Sequence, residues 1–160
     1  MTHKSVLLDT SFFLRFLNDE SPLYKNADNY FRYFIQHEIA MMISTISIAE
    51  YCVGGDIHEL PLKNLQIVPF NLDHSKRTGE FARIVFQNKG KLKLNERNII
   101  PNDTKLFAQA DCEKLVEFYL SSDTESFKIY NLLKEHTNPK FQFIDLNTPY
   151  NETFGVLDFG

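Results

Sequence analysis

Short apolar runs alternate along this chain with longer stretches whose apolar residues recur every three or four positions. Lys4–Leu8, Ile39–Ile43, Leu65–Phe70, Leu115–Leu120 and Phe141–Asp145 read as five buried strands, the third bent or ended by Pro69. Between them lie helical segments. Asp9-Thr10-Ser11 turns into a helix carrying Phe12, Phe13, Phe16 and Leu17, and Ser21-Pro22 is read as opening the next. That second helix carries the stripe Leu23, Ala27, Tyr30, Phe31, Phe34, Ile35. A short helix capped by Ser44 or Thr45 is expected to stop at Gly54-Gly55 in a left-handed turn. Further helices are expected from a cap at Asp73 to about Asn88, from Asn102-Asp103, and over Asp123–Lys134, with Phe81, Ile84, Val85, Leu106, Phe107 and Ala110 facing inward. Strands alternating with helices predict an α/β domain with a central parallel sheet of five strands and helices on both faces. The domain is read over residues 1–145, and 146–160 is read as an extended or coiled tail packed on it or at an interface.

The 160 residues suit one compact domain, and 43% hydrophobic residues with fifteen phenylalanines describe a folded chain. No apolar run reaches the roughly 18 residues that cross a membrane, and residues 1–20 lack the cleavage pattern of a secretory signal. Cys52 and Cys112 belong to no C-x-x-C pattern and the five histidines to no zinc motif, so the expected compartment is the cytoplasm. A net charge of −4 does not favour nucleic-acid binding. Between Arg83 and Lys105, however, six bases face two acids, which reads equally as a solvated loop or a phosphate-steering patch.

Four acids stand at the edges of apolar segments: Asp9, Glu50, Asp103 and Asp123. Glu50 is the only charged residue from Ala40 to Val53. An ionised acid beside a core costs several kcal/mol unless something offsets it, and four together would repel until a proton or cation intervened. Hard divalent cations with oxygen ligands are the common remedy, and such sites act most often on phosphate esters. Each acid also has a plain reading. Asp9, Asp103 and Asp123 suit helix caps, and Ser47-x-x-Glu50 could be a capping box. The capping box would leave barely two turns before Gly54, so a longer helix with Glu50 on its inner side is preferred.

Leu8-Asp9-Thr10-Ser11-Phe12-Phe13, Ser44–Glu50, Ile100–Ala108 and Leu120-Ser121-Ser122-Asp123 resemble, in order and separation, the four acidic motifs of PIN-domain ribonucleases, above all the VapC-type toxins. The resemblance covers Val6 to about Ile144. It implies a Rossmann-like parallel sheet and a Mg²⁺- or Mn²⁺-dependent endoribonuclease, with Asp9, Glu50, Asp103 and Asp123 as the metal-binding, catalytic acids. Thr10 or Ser11 would support them with a hydroxyl, and Arg15, Lys91, Lys93 and Arg97 are candidates for holding the RNA backbone. It also implies a cognate antitoxin partner and a homodimer. Gln109, in a helix that is usually alanine-rich, Ser122 in place of a frequent basic residue, and the long tail depart from the pattern. Two rival readings are a PIN nuclease of RNA processing without an antitoxin, and a catalytically silent PIN binding module. A haloacid-dehalogenase-like phosphatase would need an Asp where Ser11 stands. The aromatic surplus of Ser11–Phe34 is read mostly as core, partly as a surface for a partner.

Overall fold

The structure, a computed structural model, describes residues 3–88 and 102–155. The first strand, β1 (Ser5–Leu8), leads into α1 (Thr10–Phe16) and α2 (Tyr24–Gln36), then β2 (Ala40–Ser44) and α3 (Thr45–Tyr51). Two 3-10 turns precede β3 (Leu65–Val68) and α4 (Leu72–Gln87). The chain continues with α5 (Asn102–Cys112), β4 (Val116–Ser121), α6 (Thr124–His136), β5 (Gln142–Asp145) and α7 (Tyr150–Phe154). The strands form one parallel sheet in the order β3-β2-β1-β4-β5. From β1 the chain winds outward to β3, then crosses back to place β4 on the other side of β1. The strand order therefore reverses between β1 and β4, where the carboxyl ends of a doubly wound sheet leave a crevice.

Alternation along each strand fills two cores, because successive side chains leave opposite faces. Leu7, Met42, Tyr119 and Phe143 face α4, α5 and α6. Val6, Leu8, Met41, Ile43, Phe118, Leu120 and Ile144 face α1, α2 and the C-terminal segment. Helix α5 is clamped to α4 at its C-terminal end. Arg77 Nε donates to Asp111 (2.8 Å), and His74 Nε2 lies 2.8 Å from Glu113. Since His74 Nδ1 accepts the Asn71 N–H at 3.1 Å, the neutral ring carries its proton on Nε2 and donates to Glu113.

Several local expectations change. Helix α2 begins at Tyr24; Ser21 and Pro22 form the turn before it, and Ser21 Oγ accepts the Leu23 N–H. Its stripe buries Ala27, Tyr30 and Phe34, whereas Ile35 is exposed. Asn71, not Asp73, caps α4, because the Asn71 side chain and His74 exchange reciprocal bonds. Neither Gly54 nor Gly55 is left-handed: α3 ends at Tyr51, and Gly55 is needed because a Cβ there would lie 2.5 Å from the Tyr51 ring. The segment after Asp145 is not all coil. Its helix α7 lies on α2, where Tyr30 donates to the Thr148 carbonyl and Tyr33 stacks on Phe154 at 4.4 Å. Phe16 and Phe31 stack at 4.6 Å, so much of the aromatic surplus is covered by the chain itself.

The residue that follows the α2 cap, Glu38, is left-handed at φ 55°. A residue with a Cβ loses roughly 1 kcal/mol or more there, so Glu38→Gly is expected to raise the urea midpoint. A lowered midpoint would show that the Glu38 side chain contributes more than its backbone costs.

Candidate functional site

The site is built where β1 and β4 end side by side. Asp9 follows the last residue of β1 and caps α1, its Oδ1 accepting the Thr10 N–H at 2.8 Å. The capping reading is thus correct, yet it accounts for one oxygen only. Oδ2 accepts two hydroxyls, Ser11 Oγ at 2.9 Å and Ser121 Oγ at 2.7 Å. These serines also accept backbone N–H groups from the turn after β4: Ser122 to Ser11 at 3.0 Å and Asp123 to Ser121 at 3.0 Å. Two hydroxyl relays therefore fasten the start of α1 to the start of α6, and they fix Asp9 relative to Asp123.

Ser44, at the end of β2, caps α3 through the Ile46 N–H. That early start rules out a capping box at Ser47, whose buried Oγ has no hydrogen-bond partner among the described residues. Glu50 instead reaches toward α1, where Thr10 Oγ1 donates to it at 3.0 Å. Asp103 lies in the first turn of α5 and accepts the buried Ser126 Oγ of α6 at 2.6 Å. Asp123 caps α6 through the Glu125 N–H at 2.9 Å and is exposed.

Electrostatics tie the four acids together. Burial pushes the Asp9 carboxyl upward, the Ser121 and Ser11 hydroxyls and the Thr10 N–H oppose it, and Glu50 adds to it. Burial likewise raises the Asp103 carboxyl to about 7; Ser126 opposes, while Asp9, Asp123 and Glu50 all push the same way. Asp103 thus feels the other three, as acids gathered at one end of a sheet should. Among the described residues, no Lys, Arg or His forms an ion pair with any of the four. Hydroxyls and backbone amides provide the compensation instead. As placed, no three of these groups among the described residues stand close enough together to hold a metal ion. The donor set nonetheless fits a hard divalent cation. It is all oxygen, and Glu50, Asp103 and Asp123 each keep one carboxylate oxygen without a hydrogen bond among the described residues.

Of the other residues read from the sequence, Thr10 and Ser11 both bond to the acids. Arg15 sits exposed in the last turn of the helix that Asp9 caps. Lys91, Lys93 and Arg97 lie outside the described residues. Gln109 is fully buried and donates to the Val68 carbonyl at 3.2 Å, tying α5 to the edge strand. Two residues of the site went unread: Ser121 and Ser126. Ser121 carried a signal, since strand alternation sets it on the same face as Tyr119 and level with Asp9.

No family model matches the chain, and no curated protein matches it. Solved structures do. The VapBC2 complex of Rickettsia felis bound to a DNA fragment from their promoter matches with a TM-score of 0.61 and 18% identity, covering 88% of this chain and 97% of the other. DNA-bound VapBC from Salmonella typhimurium gives 0.58 and 14%, over 89% and 98%. VapC20 of Mycobacterium tuberculosis, a sarcin-ricin loop cleaving toxin, gives 0.50 and 15%, over 78% and 94%. At these identities the likeness establishes the fold.

An acid whose proton affinity rises on folding contributes stability below its unfolded pKa, and that contribution is lost as pH rises through the folded value. For Asp103 the window runs from about 4 to about 7. A tenfold change in proton affinity is worth about 1.4 kcal/mol, and 1 kcal/mol moves Tm by ~2–4 °C in a chain of this size. Without divalent cations, Asp103→Asn should melt several degrees above the wild type at pH 8 and close to it at pH 4. A lower melting point at pH 8 would mean that the other acids do not press on Asp103.

Proposed function

We propose, from a chain with a PIN-domain, VapC-like fold, that it is a divalent-cation-dependent endoribonuclease, the toxin of a toxin–antitoxin pair. The observation that carries the reading is electrostatic. Burial raises the Asp103 carboxyl to about 7, and Asp9, Asp123 and Glu50, from three other segments, all push it the same way. Nothing in the core packing calls for such a gathering, and it weakens the ion-free protein.

Asp9, Glu50, Asp103 and Asp123 would hold Mg²⁺ or Mn²⁺, and a cation so held activates water and neutralises charge developing on a phosphate. The chain's own residues prepare the site. Ser11 and Ser121 hold Asp9 Oδ2 in place, Thr10 orients Glu50, and Ser126 orients Asp103. Near neutral pH the Asp103 carboxyl exchanges its proton readily, so it can give way to a cation at little cost. The substrate is RNA, with Arg15 and the bases Lys91, Lys93 and Arg97 contacting its backbone as point charges and forks. The likeness to VapBC complexes supports an antitoxin as partner, and a second copy of the chain is proposed beside it.

The purified chain is expected to cut RNA with Mn²⁺ or Mg²⁺ present and to stop in EDTA. Asp9→Asn should lower cleavage at least about 100-fold, the upper end of what loss of a supporting partner alone costs. Cleavage that survives EDTA or Asp9→Asn contradicts the mechanism. Expression of the chain alone should arrest growth, and Asp9→Asn should relieve the arrest. Normal growth with intact cleavage in vitro would point to an RNA-processing nuclease, and a chain that neither cuts RNA nor binds Mn²⁺ is a binding module.

A further inference from the structure

Tyr119 is the anomaly of the buried face. It lies on β4 opposite Leu7 and is fully buried. Phe107 meets its ring edge-on at 4.9 Å, with Phe143 at 5.6 Å and Phe141 at 6.0 Å. Three phenylalanines around it show that this layer is built for plain rings. A fourth would fill the slot without a polar atom. Yet the Tyr119 hydroxyl is buried with no hydrogen-bond partner in accepted geometry among the described residues. Leaving a buried hydroxyl so is destabilising. Two other buried tyrosines avoid this cost: Tyr130 donates to the Phe141 carbonyl at 3.0 Å, and Tyr30 to the Thr148 carbonyl.

The register shows where the hydroxyl lies. Asp9 is two residues beyond Leu7, and Ser121 two beyond Tyr119, on the same face. Two residues of strand rise by roughly 6.6 Å, about the reach of a tyrosine leaning along its strand. Helix α5 adds a second constraint. Phe107, which holds the ring, stands one turn after Asp103 on the same side of the helix. The phenol thus points up from the core to the underside of the Asp9 and Asp103 carboxylates. Burial above all, and then both carboxylates, hold the phenol well above its ordinary range, so it stays a donor.

We infer that Tyr119 is a positioning residue of the cation site, its hydroxyl donating to the Asp9 carboxylate when that site holds a divalent cation. The inference rests on the cation-site reading above. In the ion-free protein the hydroxyl lies within reach of Asp9 but forms no well-aligned bond, and the ring cage of Phe107, Phe141 and Phe143 already holds it in place beneath the carboxylates. Because the ring is locked by its neighbours, little freedom is lost when the bond forms.

Tyr119→Phe separates this role from a structural one. Calorimetric titration with Mn²⁺ should show a dissociation constant raised about 10–100-fold, the range for losing an outer-sphere partner. Melting of the ion-free variant should be unchanged or higher, because an unpartnered hydroxyl has gone. The Mn²⁺-induced rise in Tm, taken against each protein's own ion-free state, should shrink in the variant, which keeps the test valid if the variant is less stable. Equal Mn²⁺ affinity in both proteins overturns the role of Tyr119 while leaving the cation site standing. A wild type that takes up no Mn²⁺ overturns the cation site, and Tyr119 with it.

Discussion

Burying Asp9 and partly burying Asp103 at the carboxyl end of the sheet, with Glu50 and Asp123 within electrostatic reach of Asp103, is the constraint on which the rest of this molecule turns. An isolated buried carboxylate costs several kcal/mol, and a neighbouring cationic side chain is the usual remedy. Here the described residues supply none. Hydroxyls take that role: Ser11 and Ser121 on Asp9, Ser126 on Asp103, Thr10 on Glu50. A hydroxyl orients a carboxylate without cancelling its charge. The site therefore keeps a negative potential, which adds to burial in raising the proton affinity of Asp103.

Such a site needs a stiff frame, since repulsion would otherwise spread the acids apart. Topology gives the first restraint: β1 and β4 are hydrogen-bonded neighbours, and Asp9 N–H bonds to the Leu120 carbonyl at 3.0 Å. The serine relays give the second, by joining the turn after β4 to the first turn of α1. A third lies far from the chemistry. The His74–Glu113 and Arg77–Asp111 contacts, with the buried Gln109 bond to Val68, fix the C-terminal end of α5, the helix that carries Asp103 in its first turn.

Much of this was legible in the chain. Five apolar runs gave five strands within a residue or two, because the central strands β2, β1 and β4 bury both faces and so carry little polar interruption. The resemblance in the four acidic segments pointed to the PIN fold that the solved VapBC and VapC20 structures share with this chain. Where the reading missed, long-range partners decided. Asn71 outcompetes Asp73 as a cap because His74 answers it, and Gly55 serves the Tyr51 ring and no left-handed turn. Helix α7 is short and finds its place through Tyr30, Tyr33 and Phe34 on another helix, which no local pattern announces. Ser126 and Tyr119 matter only through residues more than ten positions away, so a sequence read in windows passes over them.

Anomalous scattering from crystals grown with Mn²⁺ tests the convergence of the acids on a cation most directly. A manganese peak is expected in the crevice between β1 and β4, within coordination distance, roughly 2.0–2.3 Å, of carboxylate oxygens from Asp9 and Asp103. A peak bound elsewhere, or acids that stay apart while Mn²⁺ saturates the protein, would contradict it.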